Sequence, residues 1–305
     1  MKEARLKIGL MGLVMFSGSA WADYQCEVGG SYLFGSMDST YSPPSYQPPV
    51  EEFPPGETPI LPPTLPSVSS DEDFDGFGVS GTWFFEPVDT SNGPLRLAPF
   101  LSRASGISGS YGRYETDESD IEVDFWNAEV RWLVSDAWVV EAGLGGSESD
   151  DSIVDAEVDL LHAAVGYYVG QNTEVKIGFN REDADVEEYD RWSVQIEHVQ
   201  TLENGITWQA RGLLGLVKGD HDTFSDADDS DWEAAVSVYF TPRFGIGFDY
   251  QVEDHGDAGE TDFHRAWASY LPSDKVVLEL AYYGEENDDV GIDSDGVVFS
   301  ARYRW

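Results

Sequence analysis

Six charged residues lie in segments where apolar side chains hold every second position: Arg131, Glu197, Arg211, Asp249, Arg265 and Glu279. The pattern is clearest around Asp249. Phe244, Ile246, Phe248, Tyr250 and Val252 fall on one face of an extended segment, and Gly245, Gly247, Asp249, Gln251 and Glu253 on the other. Trp192, Val194 and Ile196 likewise oppose Ser193, Gln195 and Glu197, while Trp208 and Ala210 oppose Gln209 and Arg211. Lys176, Arg302, Arg304, Glu129, Glu141 and Glu233 occupy positions of the same kind. A carboxylate or guanidinium placed in hydrocarbon costs several kcal/mol, so this polar face must look onto water or onto paired charges. Charges of both signs on one face support two chemistries. They can pair into a network that stiffens an interior, or they can line a path and select the ions that follow it.

Other chemistry is poorly represented. Asp220-His221-Asp222 and Asp254-His255 could activate a water, as a rim hydrolase would. With 58 acidic residues in the chain, an Asp beside a His is expected by chance. His198 and His264 have no evident serine partner. Asp71-Glu72-Asp73-Phe74-Asp75-Gly76 matches the first half of a calcium-binding loop, but position twelve is Thr82, which cannot supply the bidentate carboxylate. No glycine-rich phosphate loop or paired-cysteine site occurs. Cys26 is the single cysteine, so no intrachain disulfide forms. The expectation is therefore a protein that is not an enzyme and needs no metal or cofactor. A formal net charge of −41 argues against nucleic acid as a partner, because the phosphate backbone needs a basic surface.

The elements that must carry these residues read as strands. Period-2 segments of about ten residues recur along the chain, longer than the ~5–6 residues of typical soluble strands and long enough for a tilted membrane crossing. Fourteen segments are expected, at 24–35, 75–86, 95–113, 121–134, 138–148, 154–169, 173–182, 189–201, 206–218, 231–240, 244–253, 261–271, 276–285 and 295–305, with twelve or sixteen as alternatives. The register of the third is ambiguous around Pro99. Trp138, Tyr168, Trp192, Tyr270 and Trp305 fall near segment ends, as an interfacial girdle requires. Tight turns such as Gly170-Gln171-Asn172, Glu203-Asn204-Gly205 and Thr241-Pro242-Arg243 alternate with acidic loops such as Glu182–Asp190 and Gly219–Asp231. Mean hydropathy is −0.34, which a barrel tolerates because only alternate residues face lipid.

The first 22 residues read as a secretory signal: Lys2, Arg5 and Lys7, an apolar run from Ile8 to Phe16, and Ala20-Trp21-Ala22 before the expected cleavage point. Ten of the fifteen prolines fall between Pro43 and Pro66, so residues 36–74 are expected to form a long, acidic external loop favouring polyproline II.

The last segment carries a family resemblance. Val297, Phe299, Ala301, Tyr303 and Trp305 share one face, and Val298, Ser300, Arg302 and Arg304 the other. A final alternating strand with Tyr third from the end and a terminal aromatic resembles the assembly signal of Gram-negative outer-membrane β-barrels of the porin-like family. That resemblance implies an all-β transmembrane antiparallel barrel, residues 23–305, integral to the outer membrane. It implies outer-membrane lipid, lipopolysaccharide and the barrel-assembly machinery as partners, with Phe299, Tyr303 and Trp305 in the strand that machinery reads. Homo-oligomers are a further expectation. The leading functional expectation is a channel for passive diffusion of small hydrophilic solutes, with a cation bias from the acidic mouth and Arg131, Arg211, Arg265, Glu197, Asp249 and Glu279 lining it. A non-conducting structural or adhesive barrel is the second, and a rim hydrolase the third.

Overall fold

A computed structural model describes residues 24–41, 68–91, 93–116, 122–150, 156–184, 187–221, 227–254, 260–287 and 292–305. Fourteen antiparallel strands form a closed barrel in which each strand pairs with its sequence neighbours and the first pairs with the last. They are β1 (Tyr24–Tyr41), β2 (Val68–Val88), β3 (Gly106–Thr116), β4 (Glu122–Leu133), β5 (Trp138–Asp150), β6 (Ala156–Val169), β7 (Thr173–Ala184), β8 (Glu187–Thr201), β9 (Thr207–His221), β10 (Ala227–Thr241), β11 (Phe244–Asp254), β12 (Glu260–Ser273), β13 (Val276–Asn287) and β14 (Ile292–Arg304).

Alternation decides which face looks outward. Leu214 and Leu216 on β9 are 69% and 70% exposed, and Trp192, Val194, Ile196, Phe248 and Phe299 are exposed with them. So large an apolar surface, wrapped continuously around a closed sheet, needs hydrocarbon rather than water as its medium. Closure also satisfies the edge hydrogen bonds that lipid could not. The opposite face holds the charged residues and much of the glycine. Gly247, for example, lies against the Trp267 ring, and a Cβ there would come within 2.3 Å of it.

The described segments depart from the expected boundaries in two places. β1 and β2 extend well into the expected 36–74 loop, laddering from Gly35↔Phe74 up to Tyr41↔Val68. A strand rising above the membrane meets water on both faces, so nothing enforces alternation and the sequence reads as loop. The calcium-loop-like residues Asp71, Asp73 and Asp75 consequently lie along an extended strand, which cannot wrap a cation. The proline-rich stretch Pro43–Pro66 and the signal segment 1–22 lie outside the described residues.

The second departure is residues 95–105, expected within the third strand. Pro94 introduces a 3-10 turn, Leu95–Leu97, followed by a one-turn helix α1, Ala98–Leu101, and β3 begins only at Gly106. Pro99 sits in the first turn of α1, where a missing N–H is harmless, whereas in a strand interior it would break the ladder. This excursion turns into the barrel. Leu97 packs with Val199, Tyr239, Trp267 and Ala281 on the far wall. Leu95 packs with Leu271 and Val277, and Ala98 with Tyr24, Phe84 and Val88. The barrel therefore has a small apolar core, confined to the end that carries the tight turns.

One expected girdle residue also faces the other way. Tyr168 is buried, and its hydroxyl accepts a 2.8 Å hydrogen bond from Arg131. Its neighbour Tyr167 takes the outward position and packs edge-on against Trp138, ring centroids 4.9 Å apart.

Candidate functional site in the barrel lumen

Period 2 directs each expected lining residue inward, and the strands bring them into three groups. The first, on β4 to β7, contains Arg131. Its guanidinium reaches Glu141 on β5 and Glu174 on β7 (2.7 Å), and Lys176 binds Glu141 at 2.9 Å. Arg131 thus belongs to a compact network of paired charges.

The second group holds Glu197, Arg211 and Asp249 and borders a cavity of about 330 Å³. Glu197 and Arg211 are directly opposite across β8 and β9. Arg211 nevertheless turns to Glu233 on β10, its Nε donating at 3.0 Å. Glu197 accepts a 2.8 Å hydrogen bond from the amide of Gln209, which in turn accepts from Ser237 at 2.9 Å.

The third group centres on Glu279, a buried carboxylate shared by three guanidiniums. Arg265 donates to it at 2.5 Å, Arg302 stands at 3.6 Å, and Arg96 pairs with it from the inserted segment. Asp249 lies 3.9 Å from Arg265, and Glu27 binds both Arg302 and Arg304 across the seam of β1 and β14.

Arg96, Arg103 and Trp267 are among the interior residues not anticipated from sequence. Arg96 lies over the Trp267 ring, 4.0 Å from its centroid. Burial lowers its pKa to about 10, so it keeps its charge at neutral pH. Arg103 tethers the inserted segment to the rim. It donates to the carbonyls of Asp136 and Gly170, in the turns after β4 and β6, and lies 4.4 Å from the centre of the Tyr168 ring. It does so from a left-handed backbone, φ 54°, an unfavourable conformation for a residue with a side chain. Leu95 completes the attachment, its N–H donating to Pro242 at 2.9 Å and its carbonyl accepting from Arg304 at 3.0 Å. The one signal for this plug in the sequence was Pro99 inside the expected third strand, with Pro94 just before that strand.

Above the plug, toward the acidic loops, lies a larger cavity of about 620 Å³. Glu129, Glu182, Asp231 and Glu253 line it together with Asn127 and Arg191. Arg191 pairs with the buried Asp231. Asp220 and His221 close β9, while Asp222 and His255 lie outside the described residues. Among the described residues no three His, Cys, Asp or Glu side chains gather as metal ligands would.

A family model described as "Putative general bacterial porin" matches residues 67–211, a stretch that includes the whole plug. The chain folds as an outer-membrane β-barrel that resembles porins. The outer membrane protein Omp33 of Acinetobacter baumannii resembles this barrel with a TM-score of 0.55 at 15% identity, over 93% of this chain and 99% of that one. An anion-selective porin from Comamonas acidovorans matches with a TM-score of 0.43 at 9% identity, over 92% and 99% of the two chains. At 15% identity the likeness to Omp33 speaks to the fold. No curated protein matches the sequence. Family and fold point this porin-like barrel toward a channel rather than an enzyme.

Proposed function

We propose that the protein is a passive-diffusion channel for small hydrophilic solutes, cation-biased at its external mouth and narrowed at its periplasmic end by residues 94–104. The observation that carries this reading is a lumen lined with charged side chains and holding two cavities, enclosed by an apolar outer sleeve. Water-filled interiors of this kind are what permeation through a barrel uses. The cation bias rests on the larger cavity, whose lining carboxylates outnumber its one arginine. Such a field concentrates cations most strongly at low ionic strength. Planar-bilayer recording in a salt gradient tests both parts. Steady openings with a reversal potential toward the cation limit are expected, and neutralising Glu129 and Glu182 to glutamine should move that potential toward zero. Silence from a heat-modifiable, folded barrel would overturn the channel.

A second reading, a non-conducting structural barrel, has a specific observation in its favour. The plug is sealed by apolar contacts on the far wall and by Arg96 on Glu279. The same recording separates the two.

A further inference from the structure

The smaller cavity has a charge pattern of its own. At the β8 end, Glu197 and Glu233 face one guanidinium, Arg211, and Arg211 is committed to Glu233. Among the described residues Glu197 makes no ion pair within 4.0 Å; the neutral amide of Gln209 donates to it, and Arg211 and Lys176 act on it only at longer range. Four strands away, the imbalance is reversed. Arg96 and Arg265 line the cavity there with one carboxylate, Asp249, and behind them Arg302 and Arg304 share Glu279 and Glu27. Between these ends the surface is uncharged, formed by Trp267 and by Leu97 and Phe100 of the plug.

We propose that this cavity is a binding site for small zwitterionic solutes with the charge pattern of an α-amino acid. The solute's ammonium group goes to Glu197 and its carboxylate to the Arg96–Arg265 end. The inference deepens the channel reading and depends on it for transport, but the binding itself does not require conduction. A carboxylate that lacks a cationic partner gains more from an incoming ammonium than an already paired one, because no existing ion pair must break. The mirror argument holds at the arginine-rich end, where four guanidiniums share three carboxylates. A purely cationic solute would satisfy Glu197 and be repelled by Arg265 and Arg96; a purely anionic one meets the reverse. Size agrees as well: at ~30 Å³ per water-sized group the space holds about eleven such groups, and glutamine has about ten non-hydrogen atoms.

Calorimetric titration of the intact, detergent-solubilised barrel tests this with three probes that differ only in blocked charge: L-glutamine, L-glutaminamide and N-acetyl-L-glutamine. Saturable binding of glutamine is expected, with each blocked derivative at least about tenfold weaker, the scale of one charge-assisted hydrogen bond. Glu197→Gln should weaken glutamine about tenfold and leave N-acetyl-L-glutamine, which has no ammonium, unchanged. The proposal is overturned if glutamine does not saturate, if glutaminamide binds as well as glutamine, or if Glu197→Gln weakens both ligands equally. Swelling of proteoliposomes in sucrose, run alongside, keeps the two readings apart. Sucrose entry without glutamine binding removes the zwitterion site and leaves the channel. Glutamine binding without entry of any solute removes the channel and leaves the site.

Discussion

Replacing Pro94–Ala104 with a two-residue Asn-Gly turn should open the tight-turn end of the lumen. Fourteen strands about 4.8 Å apart and tilted by about 40° give a backbone diameter of about 28 Å. Side chains projecting from opposite walls leave a free bore of about 10 Å in such a barrel. A helical turn with its side chains is itself about 10 Å across, so the plug fills the opening and leaves crevices beside it. Removing it should raise single-channel conductance at least about fivefold, since ions then cross the full bore instead of those crevices. The cost in stability is also calculable. Leu95 and Leu97 are both buried, and losing each removes about 1.5–3 kcal/mol of apolar burial. The variant should therefore melt earlier than the parent while still migrating as a heat-modifiable barrel. Leu97→Ser, which keeps the backbone of the plug, is the milder companion and should give intermediate conductance. Unchanged conductance in a folded excision variant would refute the argument, because the plug would then lie outside the conduction path.

Three further outcomes are expected. Arg103→Gly and Arg103→Ala both lose the tether to Asp136 and Gly170, but glycine also relieves the positive φ. The Gly variant should thus be the more stable by about 1 kcal/mol in urea titration, and equal stability would show that the backbone is unstrained. Glu279→Gln leaves the buried Arg96 without a carboxylate and takes one of two from Arg265 and Arg302, and should cost about 3–5 kcal/mol, read as a lower temperature for loss of heat-modifiable migration. Deleting Trp305 removes three backbone hydrogen bonds to Gln25 and Cys26, each worth about 0.5–1.5 kcal/mol, and should slow insertion into liposomes measurably; wild-type kinetics would count against a role for the last residue in closure.

The barrel was legible because lipid imposes a strict rule on sequence. Outward and inward positions alternate along β7 to β14, so Ile177, Val194, Leu214, Phe248 and Phe299 could be placed outward and Lys176, Glu197, Arg211 and Asp249 inward from the letters alone. The rule ends where lipid ends. Beyond the membrane, Asp71, Asp73 and Asp75 remain in a ladder that backbone hydrogen bonds suffice to hold, and nothing in their side chains announces it. The plug escaped for a different reason. Leu95 and Leu97 alternate with Arg96 as a strand would, and a four-residue helix is too short to display a 3.6-residue repeat. Tyr168 was misplaced because Tyr167 and Tyr168 stand side by side near a strand end. Which of them faced inward depended on Arg131, 37 residues away in the chain. Partner choice inside the lumen was likewise invisible, since Arg211 bypasses the Glu197 opposite it for Glu233.

The seam between β1 and β14 gives the molecule an order of assembly. Each of the other strand pairs joins consecutive strands and can zip as a hairpin once both have reached the outer membrane. The seam joins Glu27 to Arg304, almost the whole chain apart, and bringing such distant residues together is slow because the entropy of closing the loop is lost before any contact forms. Until that step is complete the protein is a curled sheet with two bare edges, each able to pair with another chain. Glu27, which waits on β1 for Arg302 and Arg304, makes the last contact also an electrostatic one. A chain cut short before β14 would therefore remain an open ribbon for its lifetime, and its fate would be decided by whichever protein reached its edges first.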